Sequence, residues 1–374
     1  MGDVPQVHGT IQPGFEKIKE AFEANFQERE ELGACFAVYR DGKKVIDIWG
    51  GHIDEDGKDE WREDSIVNVF SATKGPMALA VAILADRGKI DYATSVTDYW
   101  PEFGANGKSS ITVGQLMSHQ GGVCGLRELI TVENYYDWTF MCDSLAAMEP
   151  FWTPGDGSGY HAVTFGFLAG ELVRRVDGRT PGQFIAEEIC APTGADFFCG
   201  TPESEFGRIA PIIMPQGAPP LGGPEMSEPA KAALANPPLK ASVANTKAWR
   251  QAEIPAANGH TNARGLATIF APFAIGGGAL ISKAGLEEAT KERCRYMDRC
   301  LNMEMSWASG FIRNNSGGYG PNEPAFGHTG WGGAFGFADP VAGVSIGYAM
   351  NRMSPTLAGD MRGYSLVAAA YDCL

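Results

Sequence analysis

The chain has 374 residues, of which 44% are hydrophobic, 20% charged and 10% aromatic. That balance is globular and excludes the disordered and fibrous classes, and the length allows two or three domains. Thirty basic against 45 acidic residues leave a net charge of −15, so nucleic acid and anionic lipid surfaces are poor partners.

The opening segment, MGDVPQVHGTIQPGFEKIKEAFE, has neither a basic n-region nor an apolar h-region. Gln6 stands where a myristoylation signal requires Ser or Thr. Phe15, Ile18, Phe22 and Phe26 recur at helical spacing and predict an amphipathic helix over 13–32. CFAVYR and KKVIDIWGG, joined by Asp41-Gly42, predict a β-hairpin with a type I′ turn. The middle of the chain is helical in pattern over 75–88, 112–118, 162–177, 181–190, 263–275 and 285–299. Residues 202–255 hold ten of the 23 prolines, so long helices and central strands are excluded there, and the segment reads as a lid-like loop or a flexible insertion. The stretch Leu266–Ile281 is too short and too broken by Pro272 and three glycines to span a bilayer. EPAFGHTGW, GAFGFAD and GVSIGYAMN predict three short strands, followed by a helix from Leu357 to Tyr371. Eight cysteines form no C-x-x-C pair, so reduced, buried thiols in a cytoplasmic protein are expected and a zinc site is not. The economical fold is α/β plus all-α. Both chain ends, 1–74 and 263–374, build an antiparallel sheet flanked by helices, and 75–262 forms an inserted, mainly helical domain.

Three segments carry chemistry. In NVFSATKGPMALAVAILADRG an apolar extended run ends at Phe70 and a helix begins with Ser71 in its first turn. Ser71 and Lys74, three apart, share one helix face, close to the unpaired N–H groups of the helix start. That arrangement suits an activated hydroxyl nucleophile, though a Ser cap followed by a surface Lys has the same spelling. In WTPGDGSGYHAVTFGF a Pro/Gly turn delivers Tyr160 just ahead of a helix. A phenol beside a lysine ammonium can serve as a general base; a packed Tyr with a satisfied hydroxyl is the alternative. In FGHTGWGGAFGF, His328-Thr329-Gly330-Trp331 lies on a strand whose glycines mark either close approach of a ligand or a bulge. Gly343-Val344-Ser345-Ile346-Gly347 matches the G-x-S-x-G elbow, but Ser345 sits inside an alternating strand and no His follows it, so it is rejected. His119 and His161 lack an Asp partner for a triad and read as structural or supporting residues.

The order Ser-x-x-Lys, Tyr, then His-Thr-Gly resembles that of penicillin-recognising serine hydrolases, in the branch of class C β-lactamases and family VIII carboxylesterases. The likeness runs over roughly 15–200 and 260–374. It includes Ile111–His119, similar to the family's "ITVRHLLTH" stretch, the run Asn262–Ala267, and GHTGWGGAFGFADPVAGVSIGYAMNRM. The Pro-rich segment is least matched.

The resemblance implies the β-lactamase/penicillin-binding-protein fold, with the active site between its two parts. Ser71 would be the acylated nucleophile, and Lys74 its proton acceptor or the charge that keeps Tyr160 ionised. Tyr160 would shuttle the proton, and the N–H groups of Ser71 and Trp331 would hold the oxyanion. His328, where β-lactamases carry a Lys, would meet the substrate alongside Thr329, Gly330 and His161. Two departures favour esters over β-lactams: Ala162 replaces the Asn of class C enzymes, and His328 weakens the fixed positive charge. Trp331 would narrow the pocket further. The expectation is a serine carboxylesterase for short-chain acyl esters, needing no cofactor or metal. Weak β-lactamase, D-amino-acid amidase or peptidase, acyltransferase and a non-catalytic sensor are the rivals. The sequence carries no signal of oligomeric state.

Overall fold

The two apolar runs near the start fold back on each other because Asp41 and Gly42 both adopt positive φ, 50° and 74°, the conformation a type I′ turn requires. The structure, a computed structural model, describes residues 5–214, 225–357 and 359–374. In chain order the strands are β1 (His8–Ile11), β2 (Gly33–Arg40), β3 (Lys43–Gly51), β4 (Val67–Asn68), β5 (Phe197–Phe198), β6 (His260–Thr261), β7 (Cys294–Met297), β8 (Glu304–Trp307), β9 (Ile312–Arg313), β10 (Phe326–Thr329), β11 (Phe335–Asp339) and β12 (Val344–Met350). Nine of them form one antiparallel sheet in the order β1-β3-β2-β12-β11-β10-β9-β8-β7, and β4-β6-β5 form a second, small one.

The large sheet draws its strands from 8–51 and 294–350, and the two groups meet where β12 pairs with β2, Val344 opposite Arg40 through Met350 opposite Ala34. Every residue of β12 is buried, as expected of a strand covered on both faces. The helix Ala263–Ala274 lies against one face. A Cβ at Gly347 would stand 2.2 Å from the carbonyl oxygen of Ala263, so only glycine allows this approach. Ser345, on the same strand, donates to the carbonyl of Ala267 at 2.8 Å and is buried, which disposes of it as a nucleophile. The helices Glu16–Glu28 and Met361–Asp372 pack on each other, and Gly363 of the latter meets Phe335 on the opposite face of β11.

The helix Lys74–Asp86 is buried along nearly its whole length, from Lys74 to Leu84, matching the all-round apolar character of MALAVAILA. It packs against the helices Thr164–Asp177, Pro181–Ile185 and Lys283–Thr290.

Three expectations need correction. The helix over 285–299 stops at Thr290, and Cys294–Met297 is an edge strand paired with β8; sheet pairing overrides the local pattern there. The short strands β8 and β9 and the helix Trp138–Ala147 were not anticipated. The described part of 202–255 is no flexible insertion. It forms short helices, Glu228–Leu234 and Lys247–Gln251 among them, and buries Trp249 and Ile254 completely. Residues 215–224 of that segment lie outside the described residues. All eight cysteines are free, seven of them buried. Among the described residues no helix is long and apolar enough to cross a membrane.

Under the sheet, Arg362 lies between Glu31 at 2.9 Å and Asp360, with side-chain exposures of 4%, 0% and 8%. Arg362 also donates to the carbonyls of Arg352 at 2.9 Å and Gly332 at 3.5 Å, so the ion cluster braces the turn that follows β10. Removing the arginine strands two buried carboxylates. Arg362→Met is expected to lower the unfolding free energy by about 3–5 kcal/mol in urea denaturation; an unchanged midpoint would contradict this account.

Candidate active site

The turn that carries Ser71 is built on a strained residue. After β4 the chain reaches Phe70, whose φ of 42° is uncommon for a non-glycine, and then runs through a 3₁₀ turn, Phe70–Thr73, into the helix at Lys74. Thr73 holds the turn: its hydroxyl donates to the Phe70 carbonyl at 2.5 Å and accepts from the Gly259 N–H at 2.8 Å. The Phe70 ring packs on Trp331, centroids 5.2 Å apart. Ser71 is thus carried just ahead of the α-helix proper, in the 3₁₀ turn.

Lys74 is completely buried. Its Nζ has three neighbours: Ser71 Oγ at 3.1 Å, the Ala162 carbonyl at 2.6 Å and the Ala256 carbonyl at 3.0 Å. Among the described residues no carboxylate pairs with it, and burial drives its pKa well below that of a free lysine. A neutral amine has two N–H groups and one lone pair. Unprotonated, the amine would give its two N–H groups to the carbonyls and leave its lone pair for the Ser71 hydroxyl. Ala256 is anchored from the end of the Pro-rich segment. Trp249 donates to Asn68 at 2.9 Å, Asn68 donates to the Ala257 carbonyl at 3.1 Å, and Asn258 donates to the Trp249 carbonyl at 2.8 Å.

Tyr160 OH donates to Ser71 Oγ at 2.7 Å. Its loop is pinned at three successive N–H groups. Gly159 donates to the His119 carbonyl at 3.0 Å, Tyr160 to Asp298 Oδ1 at 2.9 Å and His161 to His119 Nδ1 at 3.2 Å. The phenol ring stacks on Trp307, centroids 5.7 Å apart and planes within 3°. Lys74 Nζ lies 4.8 Å from the ring centroid. The expectation of a phenol ionised by a neighbouring ammonium is reversed here: burial, with the Asp298 charge adding to it, raises the Tyr160 pKa, while the hydrogen bond to Ser71 offsets only part. Tyr160 is a protonated donor in the resting site.

The third segment lies on β10 and the turn after it. A Cβ at Gly330 would stand 2.1 Å from the Val69 carbonyl oxygen, so glycine lets this turn press against the nucleophile turn. Among the described residues, neither the Ser71 nor the Trp331 N–H meets a protein acceptor. His328 places Nδ1 2.7 Å from the Thr329 carbonyl, which makes Nδ1 the protonated nitrogen, and its Nε2 is buried without a partner. Burial pushes its pKa down to about 3, so the ring is neutral and offers no cation. His161 points its Nδ1 at the Gly159 carbonyl, 2.7 Å away, and takes no part in the cavity wall, contrary to its expected place beside the substrate.

A cavity of about 350 Å³ opens on Ser71, Tyr160, His328 and Thr329, and its far walls are mainly apolar, with Met303, Met305, Ile312 and Phe335. Sequence reasoning missed Trp307 and Asp298. Both belong to the region where a helix was expected or no element was anticipated, and no motif marks them.

The chain is similar to known proteins along nearly its whole length. The beta-lactamase family matches residues 19–370. The esterase/beta-lactamase LipL of Mycobacterium tuberculosis (strain ATCC 25618 / H37Rv) is 36% identical over 378 residues, covering 96% of this chain and 86% of its own. Among solved structures, a family VIII carboxylesterase is 46% identical with a TM-score of 0.94, over 99% of this chain and 100% of that one. A penicillin-binding protein homolog from Caulobacter crescentus is 42% identical with a TM-score of 0.93, over 99% and 100% of the two chains.

Proposed function

The chain belongs to the beta-lactamase family of penicillin-recognising serine hydrolases, and we propose that it is a carboxylesterase acting on small neutral acyl esters through an acyl-enzyme on Ser71. The observation that carries this reading is the position of one hydroxyl oxygen: Ser71 Oγ accepts from Tyr160 at 2.7 Å and lies 3.1 Å from a buried amine whose other neighbours are carbonyls.

The amine of Lys74 takes the proton of Ser71 as Oγ attacks the ester carbonyl. The new oxyanion is received by the N–H groups of Ser71 and Trp331, both free of protein acceptors among the described residues. As the tetrahedral adduct collapses, Tyr160 gives its proton to the departing alkoxide, and Lys74, now an ammonium, restores the phenol. Hydrolysis runs the same steps in reverse: Lys74 takes the phenol proton, Tyr160 as phenolate takes one from the attacking water, and Lys74 returns its proton to Ser71 as Oγ leaves. On this reading 75–262 supplies one wall of the site, with Tyr160 and the carbonyls of Ala162 and Ala256. The chain ends supply the other, with Ser71, Lys74, Trp307 and His328.

Electrostatics and shape favour esters over β-lactams. A neutral His328 cannot hold the carboxylate that a fixed cation would hold, and Ala162 has no amide to orient a lactam side chain. The mainly apolar cavity suits an uncharged acyl or alcohol group. The carboxylesterase name borne by one similar structure points the same way, while LipL bears both an esterase and a beta-lactamase name.

Ser71→Ala is expected to abolish p-nitrophenyl butyrate turnover and labelling by a fluorophosphonate, with an unchanged circular dichroism spectrum; retained turnover would reject the assignment. Lys74→Met is expected to cost about 10²- to 10⁴-fold in kcat/KM, the usual range for a lost general base. The pH profile supplies a separate check. Protonating Lys74 removes the lone pair, so log kcat/KM should fall with unit slope as pH drops through the lowered lysine pKa. Activity should be full above that point and well below the range of a free lysine. A profile that rises only near the ordinary lysine range would contradict a neutral base.

A further inference from the structure

Asp298 is a buried carboxylate, 1% exposed, and among the described residues no cation pairs with it. It is held instead by five hydrogen-bond donors. Oδ1 accepts from the N–H groups of Tyr160 at 2.9 Å, Cys300 at 3.0 Å and Leu301 at 3.0 Å. Oδ2 accepts from the Ser158 hydroxyl at 3.2 Å and from Trp307 Nε1 at 3.4 Å. A buried charge is tolerated only when its lone pairs are met in this way. Three of the donors belong to the phenol's surroundings: Tyr160 itself, Ser158 two residues before it, and Trp307, on whose ring the phenol stacks. The Arg299 N–H returns a bond to the Ser158 carbonyl at 2.9 Å, so the turn after β7 grips the Tyr160 loop through both main chain and side chain. Leu301 and Met303, from the same turn, line the cavity.

We propose that Asp298 is the positioning residue for proton delivery to the leaving group: its carboxylate fixes the Tyr160 loop and the Trp307 ring together, and so aims the phenol at the oxygen that departs. This rests on the reading that Tyr160 is the proton donor. The negative charge beside the loop also favours the neutral phenol that such a donor must be. Asp298→Asn keeps the shape and one oxygen for the three N–H groups. It turns an amide NH₂ toward Trp307 Nε1–H and Ser158, so two donors face each other and Trp307 loses its anchor. The nucleophile, its base and the oxyanion donors do not touch Asp298.

The test compares two esters of one acid in the same sample. p-Nitrophenolate departs without a proton, whereas the alkoxide of butyl butyrate needs one. The ratio of the two kcat/KM values isolates proton delivery and does not depend on how much of a sample is folded. Tyr160→Phe should depress butyl butyrate far more than p-nitrophenyl butyrate. Asp298→Asn should shift the ratio in the same direction by about tenfold, within the range of general acid catalysis. Ser158→Ala, which removes one donor from the carboxylate and leaves the rest, should shift it less and in the same sense, and decides the matter if Asp298→Asn yields no folded enzyme. A Tyr160→Phe effect with no change of ratio in the folded Asp298 or Ser158 variants overturns the role of Asp298. Equal losses on both esters in Tyr160→Phe overturn the donor reading itself, and the proposal with it.

Discussion

An amine buried without a carboxylate is the constraint on which the site depends. Charged, the Lys74 ammonium would carry a large desolvation cost with no counter-ion to offset it. Neutral, it needs two acceptors for its N–H groups and one donor for its lone pair, and the fold supplies each: the carbonyls of Ala162 and Ala256, and the hydroxyl of Ser71. Those carbonyls come from residues 88 and 182 positions away. The base is therefore as much a product of the loops that bring them in as of the lysine. Asn68, Trp249 and Asn258 form the chain of hydrogen bonds that keeps the second carbonyl in place.

The histidines and the tyrosine around Ser71 are also driven away from charge. His119, His161 and His328 are all buried and all driven toward the neutral form, and Tyr160 is driven toward the protonated one. Protons in such a site have few places to rest, which suits a relay between an amine and a phenol that share one hydroxyl. The imidazole of His328 stands neutral beside Ser71, while Arg313, Glu304 and Asp360 put both signs of charge elsewhere in the cavity lining. The backbone contributes strain as well as donors. Phe70 and His119 both hold a positive φ, 42° and 62°, one beside the nucleophile and the other beneath the Tyr160 loop.

Much of this was legible in the residues. Ser71 and Lys74 stand one helical turn apart, and an i, i+3 spacing on an apolar helix brings two side chains to one face whatever else the chain does. The Asp41-Gly42 turn and the alternating β12 were legible for similar local reasons, and Gly330 announced a close backbone approach. Tyr160 was legible only through its order relative to the other motifs. By itself it is one of eleven tyrosines. Asp298 was invisible, since the run ending in it has a helical look and becomes an edge strand and turn only through its pairing with β8.

By itself, then, the sequence determined the local geometry: which serine leads a buried helix, which lysine follows at the right spacing, where the chain turns and where only glycine fits. Those features depend on neighbours a few residues away. Tertiary structure alone decided the protonation states and the aim of the groups. They depend on burial and on partners far off in the chain: the carbonyl of Ala256 on Lys74, the carboxylate of Asp298 on Tyr160, the carbonyl of His119 on Gly159. Desolvation is a property of the assembled interior, and no stretch of residues read in order contains it.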